Sequence, residues 1–268
     1  MFSIISYFKA LLINRTVVAQ FCRREITRQY RGSFMGFAWA FLVPLMMLCV
    51  YSFVFIGILK SRWPGAEQAG GLYYSLQLFC GLTVFNLFAE VLGRAPGLIA
   101  EQPNLVKKVV FPLEILPFVS LGAALFHMAI GMVILLICVF IFQGLSIYIF
   151  LLPIVLIPFL FFLLGLSWFI SALCVYLRDI SIIIGIVINL VMFLSPVFYS
   201  TKILEGNAAL LMTYNPLTLP IENLRRILFS YDVIDWSAWL VSLLTGMLIA
   251  ALGAFFFSLT RDGFGDVL

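Results

Sequence analysis

Few side chains here could do chemistry inside an apolar chain. His127 lies within a long apolar run, and Glu90 and Glu114 sit nearer the ends of theirs. Proton- and ion-coupled transport needs intramembrane Asp, Glu, His or Lys relays. His127 has no evident partner in the sequence, so a helix-packing hydrogen bond is expected over a relay. Glu90 and Glu114 read as snorkelling groups, or as partners of Arg94, Lys107 or Lys108. No G-x-x-x-x-G-K-[ST], H-E-x-x-H or G-x-S-x-G pattern occurs, and no nucleophile–base constellation is visible. An enzyme acting alone is therefore poorly supported. Energy for any work must come from a partner or a gradient. Cys22, Cys49, Cys80, Cys138 and Cys174 share no C-x-x-C spacing, which argues against a disulfide framework or a metal knuckle.

Two further groups could make contacts. Pro103 to Pro112 mixes apolar and basic residues, including Asn104, Leu105, Lys107, Lys108 and Phe111, between two prolines. A short amphipathic helix there would offer an apolar knob to a soluble partner, or rest on anionic lipid. Aromatic residues make up 16% of the chain. Their rings suit lipid contact and helix packing, or a conduit that stacks on sugars. Tyr and Trp serve the second use better than Phe, because they also carry a polar atom.

The elements that position these groups are membrane helices. The chain is 64% hydrophobic and 10% charged, with a mean hydropathy of +1.16. A soluble domain of this length cannot hide that excess, so an all-α membrane protein is expected. Six spans are read at about 34–59, 72–92, 113–142, 147–175, 180–198 and 236–259, the fifth short for a full crossing. Pro153 and Pro158 fall within the fourth span. Residues 34–268 then form one transmembrane domain. Residues 1–33 form a separate N-terminal part with no cleavage site, in which Ile4, Ile5, Phe8, Leu11 and Leu12 make an apolar stripe at helical spacing. Asn215 and Pro216 can cap and open a helix in the long segment 201–235. Eleven of the sixteen Lys and Arg fall on the side that receives both termini, which places those termini in the cytoplasm. That placement near span ends argues for membrane topology and against a nucleic-acid partner.

Several fragments, in order, resemble one family. They are Arg24-Glu25-Ile26, Tyr30-Arg31-Gly32-Ser33, Gly36 and Trp39, then Pro44, then Asn104-Leu105-Val106-Lys107-Lys108 with Phe111-Pro112. Tyr176-Leu177-Arg178-Asp179, Ser195-Pro196-Val197-Phe198-Tyr199 and Asn215-Pro216 follow. Together they resemble the membrane subunit of type-2 ABC exporters for polysaccharides, the O-antigen, capsule and teichoic acid permeases, over essentially the whole chain. The resemblance implies a homodimer in the bacterial inner membrane, bound to two copies of a cytoplasmic ATPase. This chain would itself bind no cofactor, ATP and magnesium residing on that partner. It implies an undecaprenyl-pyrophosphate-linked polysaccharide as cargo. Asn104, Leu105, Lys107, Lys108 and Phe111 would form the coupling helix, with Arg178 and Asp179 a second contact. Arg24, Arg28, Tyr30 and Arg31 would gate the cytoplasmic mouth and hold the pyrophosphate; the arginines also suit topogenic charge and lipid phosphate. Tyr51, Phe55 and Tyr199 would line a glycan channel. The segment after Phe198 would be a pair of re-entrant helices. A drug or lipid exporter of the same superfamily, a gradient-driven transporter and a membrane scaffold are the competing readings.

Overall fold

The computed structural model describes residues 4–58, 70–107, 111–201, 205–230, 232 and 234–268. Lys108 and residues 59–69 lie outside them. Among the described residues every regular element is helical, with no strand. The N-terminal part forms α1 (Ile4–Ile13) and α2 (Arg15–Tyr30). The expected stripe on α1 is rotated. Tyr7, Phe8 and Leu11 turn to the bundle, while Leu12 and Ile13 are about 70% exposed. The reason is polar: Tyr7 is buried, donates its hydroxyl to the Ala254 carbonyl at 3.2 Å and lays its ring 5.3 Å from Trp168. Burial pushes that hydroxyl up to about 12, so it stays a donor.

The chain reverses through Gly32 and Gly36, both at positive φ that only glycine adopts freely, into a 3-10 turn and α3 (Trp39–Ser52). Pro44 lies inside α3. Then come α4 (Gly70–Arg94), α5 (Gly97–Ala100), α6 (Pro103–Lys107) and α7 (Leu116–Gln143). The second half holds α8 (Leu152–Tyr176), α9 (Ile180–Leu194), α10 (Asn207–Tyr214), α11 (Thr218–Arg225), α12 (Trp236–Thr260) and α13 (Phe264–Val267). Pro153 sits in the first turn of α8, where a missing N–H costs nothing, and only Pro158 is interior.

Among the described residues five segments are long and apolar enough to cross a membrane: Gly36–Ile58, Gly71–Arg94, Leu113–Gln143, Ile147–Tyr176 and Trp236–Val267. The sixth apolar helix, α9, has 15 residues. That is about 22 Å of helix against a core of about 30 Å. Its end is set by Pro196, which drives Ser195 to extended backbone (ψ 153°).

α8 and α12 approach most closely. A Cβ on Gly253 would overlap the Gly165 carbonyl, and one on Gly246 the Pro158 carbonyl. Small residues of this kind let membrane helices gain dispersion contact without any hydrophobic drive. α4 is the central helix, with 78% of its apolar window buried; the corresponding share for the α3 span is 6%. α9 has no buried residue.

Candidate functional site

Thr83, Asn86, Glu90 and Arg94 recur on α4 at three- and four-residue spacing, which puts them on one face. Trp39, Val43, Met47 and Tyr51 do the same on α3. The two stripes wall a cavity of about 670 Å³, which the end of α2 and the middle of α7 help to close. Glu90 Oε1 stands 2.7 Å from His127 Nδ1 and 2.7 Å from Arg94 Nη2. Arg94 also donates to Gln29 Oε1 at 3.1 Å and lies 3.5 Å from Glu25, which takes Arg28 at 2.9 Å. A chain of charges thus runs from α2 through α4 to α7. His127 makes a hydrogen bond between packed helices, as expected, with Glu90 as the partner the sequence did not show, and the pairing of Glu90 with Arg94 is also as expected. His127 Nε2 is buried without a partner. The Tyr30 ring lies 5.9 Å from the imidazole, and burial with the Glu90 carboxylate raises the Tyr30 hydroxyl above its ordinary pKa.

The gate residues are divided. Arg24 and Arg28 line a polar cleft of about 380 Å³ with Arg94, Glu101 and Ser120. Arg31 lines a separate groove with Cys22, Phe37 and Phe126, and Tyr30 borders both that groove and the α3–α4 cavity. The split arises because α2 ends at Tyr30 and Arg31 is already extended.

At the same end of the bundle, α6 presents Asn104 and Lys107 to the outside and packs Leu105 inward. Phe111 sets its ring 5.3 Å from Phe21 of α2. The C-terminal α13 lies against both α6 and α8. Its buried Phe264 stands 6.1 Å from the Tyr176 ring, and Tyr176 donates to the Thr260 carbonyl at 2.7 Å. Arg178 and Asp179 follow directly, both exposed. The two expected partner contacts, about seventy residues apart in sequence, therefore share one end of the bundle.

At the opposite end the Phe55 ring lies 5.2 Å from that of Tyr74, tilted by 32°, and the Tyr74 hydroxyl donates to the Phe198 carbonyl at 2.9 Å. Tyr199 turns away from that pair and donates to the Phe193 carbonyl at 3.2 Å. Tyr51 lies about one turn before Phe55 and faces the α3–α4 cavity. Arg225 holds this end together. Its guanidinium, on a side chain 4% exposed, donates to the carbonyls of Gln77 (3.1 Å), Pro196 (2.6 Å) and Val197 (2.9 Å) and to Glu222 (3.2 Å). By count alone it is one of the five Lys and Arg on the side away from the termini. Asn215 stands in the turn that leads into α11: its Oδ1 accepts from the Leu217 N–H at 2.9 Å and its carbonyl from the Thr218 N–H at 3.0 Å, while its amide donates to the Leu194 carbonyl and Ser195 Oγ, each at 3.0 Å.

Residues 16–229 match the ABC-2 type transporter family. The chain belongs to that family. It is 25% identical over 224 residues, 82% of this chain and 83% of the relative, to an O-antigen export system permease protein RfbA from Myxococcus xanthus. Two proteins of the same name from Klebsiella pneumoniae are 24% and 22% identical, each over 248 residues, 91% of this chain and 92% of the relative. In this ABC-2 family member the match opens at the first turn of α2 and closes just beyond α11, so it takes in the whole α3–α4 cavity.

The polar stripe on α4 was open to sequence reasoning: Thr83, Asn86, Glu90 and Arg94 break an apolar span at helical spacing. The partners of that stripe, on α2, α3 and α7, carry no such signal.

Proposed function

We propose that this protein is the transmembrane subunit of an ATP-driven exporter that carries undecaprenyl-pyrophosphate-linked polysaccharide, such as O-antigen, across the bacterial inner membrane. The observation that carries this reading is the likeness to permeases named for O-antigen export over most of the chain. Two copies assemble through α3 and α9. α3 is almost unclad by its own chain, and α9 is too short to cross alone and exposes Asn189, a poor residue to give to lipid. Both termini face the cytoplasm. There α6, with Asn104, Leu105, Lys107, Lys108 and Phe111, and the Arg178–Asp179 turn dock the ATPase, which holds ATP and magnesium. Arg24 and Arg28 meet the pyrophosphate in their cleft, with Tyr30 and Arg31 at the mouth. Tyr51, Phe55 and Tyr199 flank the glycan path, and α10 and α11 form the re-entrant pair.

The test is deletion and complementation in the source bacterium. Loss of the chain should clear glycan from the cell surface and leave lipid-linked glycan inside. A Lys107→Glu, Phe111→Ala double variant should insert normally, fail to copurify the ATPase subunit and fail to restore export. Unchanged surface glycan after deletion overturns the reading.

A further inference from the structure

We propose that the α3–α4 cavity is a sugar site. It takes uncharged glycosyl residues, stacked on Trp39 and Tyr51 and hydrogen-bonded by Asn86, Glu90 and His127. The inference rests on the glycan-export reading and assigns it a binding wall.

Asn86 starts the argument. From Tyr74 to Phe88 every residue of α4 is buried except Asn86, which is exposed into the cavity. It makes no hydrogen bond to the described residues. An amide left facing hydrocarbon costs several kcal/mol, so the cavity is built for a polar occupant. His127 Nε2 is a second unmet group on the facing wall. A third lies on α3, where Pro44 has no N–H to give the Ala40 carbonyl, and both residues line the cavity.

Charge decides the class of occupant. The cavity holds one carboxylate and one guanidinium, Glu90 and Arg94, already paired at 2.7 Å. An anion would meet Glu90 first, and the Arg94 guanidinium already serves Glu90 and Gln29 through Nη2 and faces Glu25 with Nη1, which makes no hydrogen bond among the described residues. A lipid tail would leave Asn86 unpaired. A sugar ring satisfies the set. Its C–H face stacks on an indole or phenol, and its hydroxyls donate to a carboxylate and exchange bonds with an amide and an imidazole. The volume, about 670 Å³, holds one or two rings and falls within the usual range for small-ligand sites. Anionic groups are served next door, where Arg24 and Arg28 line the polar cleft that shares Arg94. Headgroup and sugar are thereby sorted to adjoining sites. Along α4 the polar groups recur about once per turn of roughly 5.4 Å, so a ring can pass from one to the next without losing all its bonds.

The experiment uses the full permease–ATPase complex in cells making their own lipid-linked glycan. A photo-crosslinking phenylalanine analogue is placed at Met47, on the cavity wall, or at Phe193, exposed on α9. The expected result is a ladder of glycan-bearing permease at Met47, lost when glycan synthesis is blocked and at least tenfold weaker in Asn86→Leu recovered as assembled complex. Trp39→Ala should lower export similarly, and Trp39→Phe, which keeps a ring, should restore part of it. Adducts at Phe193 with none at Met47 would overturn the site and leave the export reading standing. No adduct at either position, with surface glycan unchanged on deletion, would overturn both.

Discussion

α3 and α4 have nearly equal apolar lengths, 23 and 24 residues in the two span segments, and opposite surroundings. The α3 segment has 6% of its window buried and α4 has 78%. In water the more apolar helix would be the inner one. Here the order is reversed: α4 carries Gln77, Thr83, Asn86, Glu90 and Arg94, while α3 is clothed in Phe41, Leu45, Met46 and Val50. Lipid covers such side chains as well as protein does, so apolar bulk brings no gain from going inside. Polar groups gain much, because only protein, or a wet cavity, can meet their hydrogen bonds. In this bundle, polarity and not greasiness marks the interior helix.

The contrast is sharpest at the Arg225 end of α4. Arg225→Leu would strip the carbonyls of Gln77, Pro196 and Val197 of their buried donor and take the cation from Glu222, which is 18% exposed. Breaking a buried pair from one side costs about 3–5 kcal/mol, which for a chain of this size lowers the thermal midpoint by about 10 °C. Purified variant and parent in the same detergent, followed by intrinsic fluorescence, provide the measurement. A shift under about 2 °C would mean that the guanidinium does not hold α4 to the return segment.

A smaller effect separates the two helices directly. Leu78 on α4 is fully buried, and Met46 on α3 is 55% exposed. Leu78→Ala should lose about 1–2 kcal/mol, since lipid leaves only the packing part of the usual cavity cost. Met46→Ala should leave the single chain within about 0.5 kcal/mol of the parent. Mass measurement in detergent refines the second half. If Met46 lies under a second copy, its truncation should weaken the dimer and spare the fold.

Span positions were legible in the sequence because hydropathy is local, and so was the shortness of the fifth apolar helix. Five of the expected spans recur as crossing-length helices, and the sixth stops at Leu194 instead of Phe198. The proline responsible, Pro196, was in view. What local patterns could not show were pairings across the bundle. Glu90 and His127 are 37 positions apart, and Gln77 and Arg225 are 148 apart. Nothing periodic links either pair, so neither the partner of His127 nor that of Arg225 was visible. Asn215 was legible in part: its Oδ1 accepts from the Leu217 N–H in the turn that leads into α11, and the bonds of its amide to Leu194 and Ser195 are the tertiary share that local patterns do not carry.

The least expected effect tests whether the charge chain is what fastens α2 to α4. Arg94→Gln keeps a polar donor on a side chain two bonds shorter and removes the cation shared by Glu25 and Glu90. These side chains are 20–25% exposed, so water screens part of the loss. The expected cost is about 1 kcal/mol, felt as local opening of α2 and not as global unfolding. Hydrogen exchange over Arg15–Tyr30 should then quicken about fivefold while α4 and α7 keep their protection. Glu25→Gln should reproduce the change on α2, because it cuts the same link from the other side. Unaltered exchange in both variants would show that the ring contact of Phe21 with Phe111 fastens α2, and that the charges serve the cavity alone.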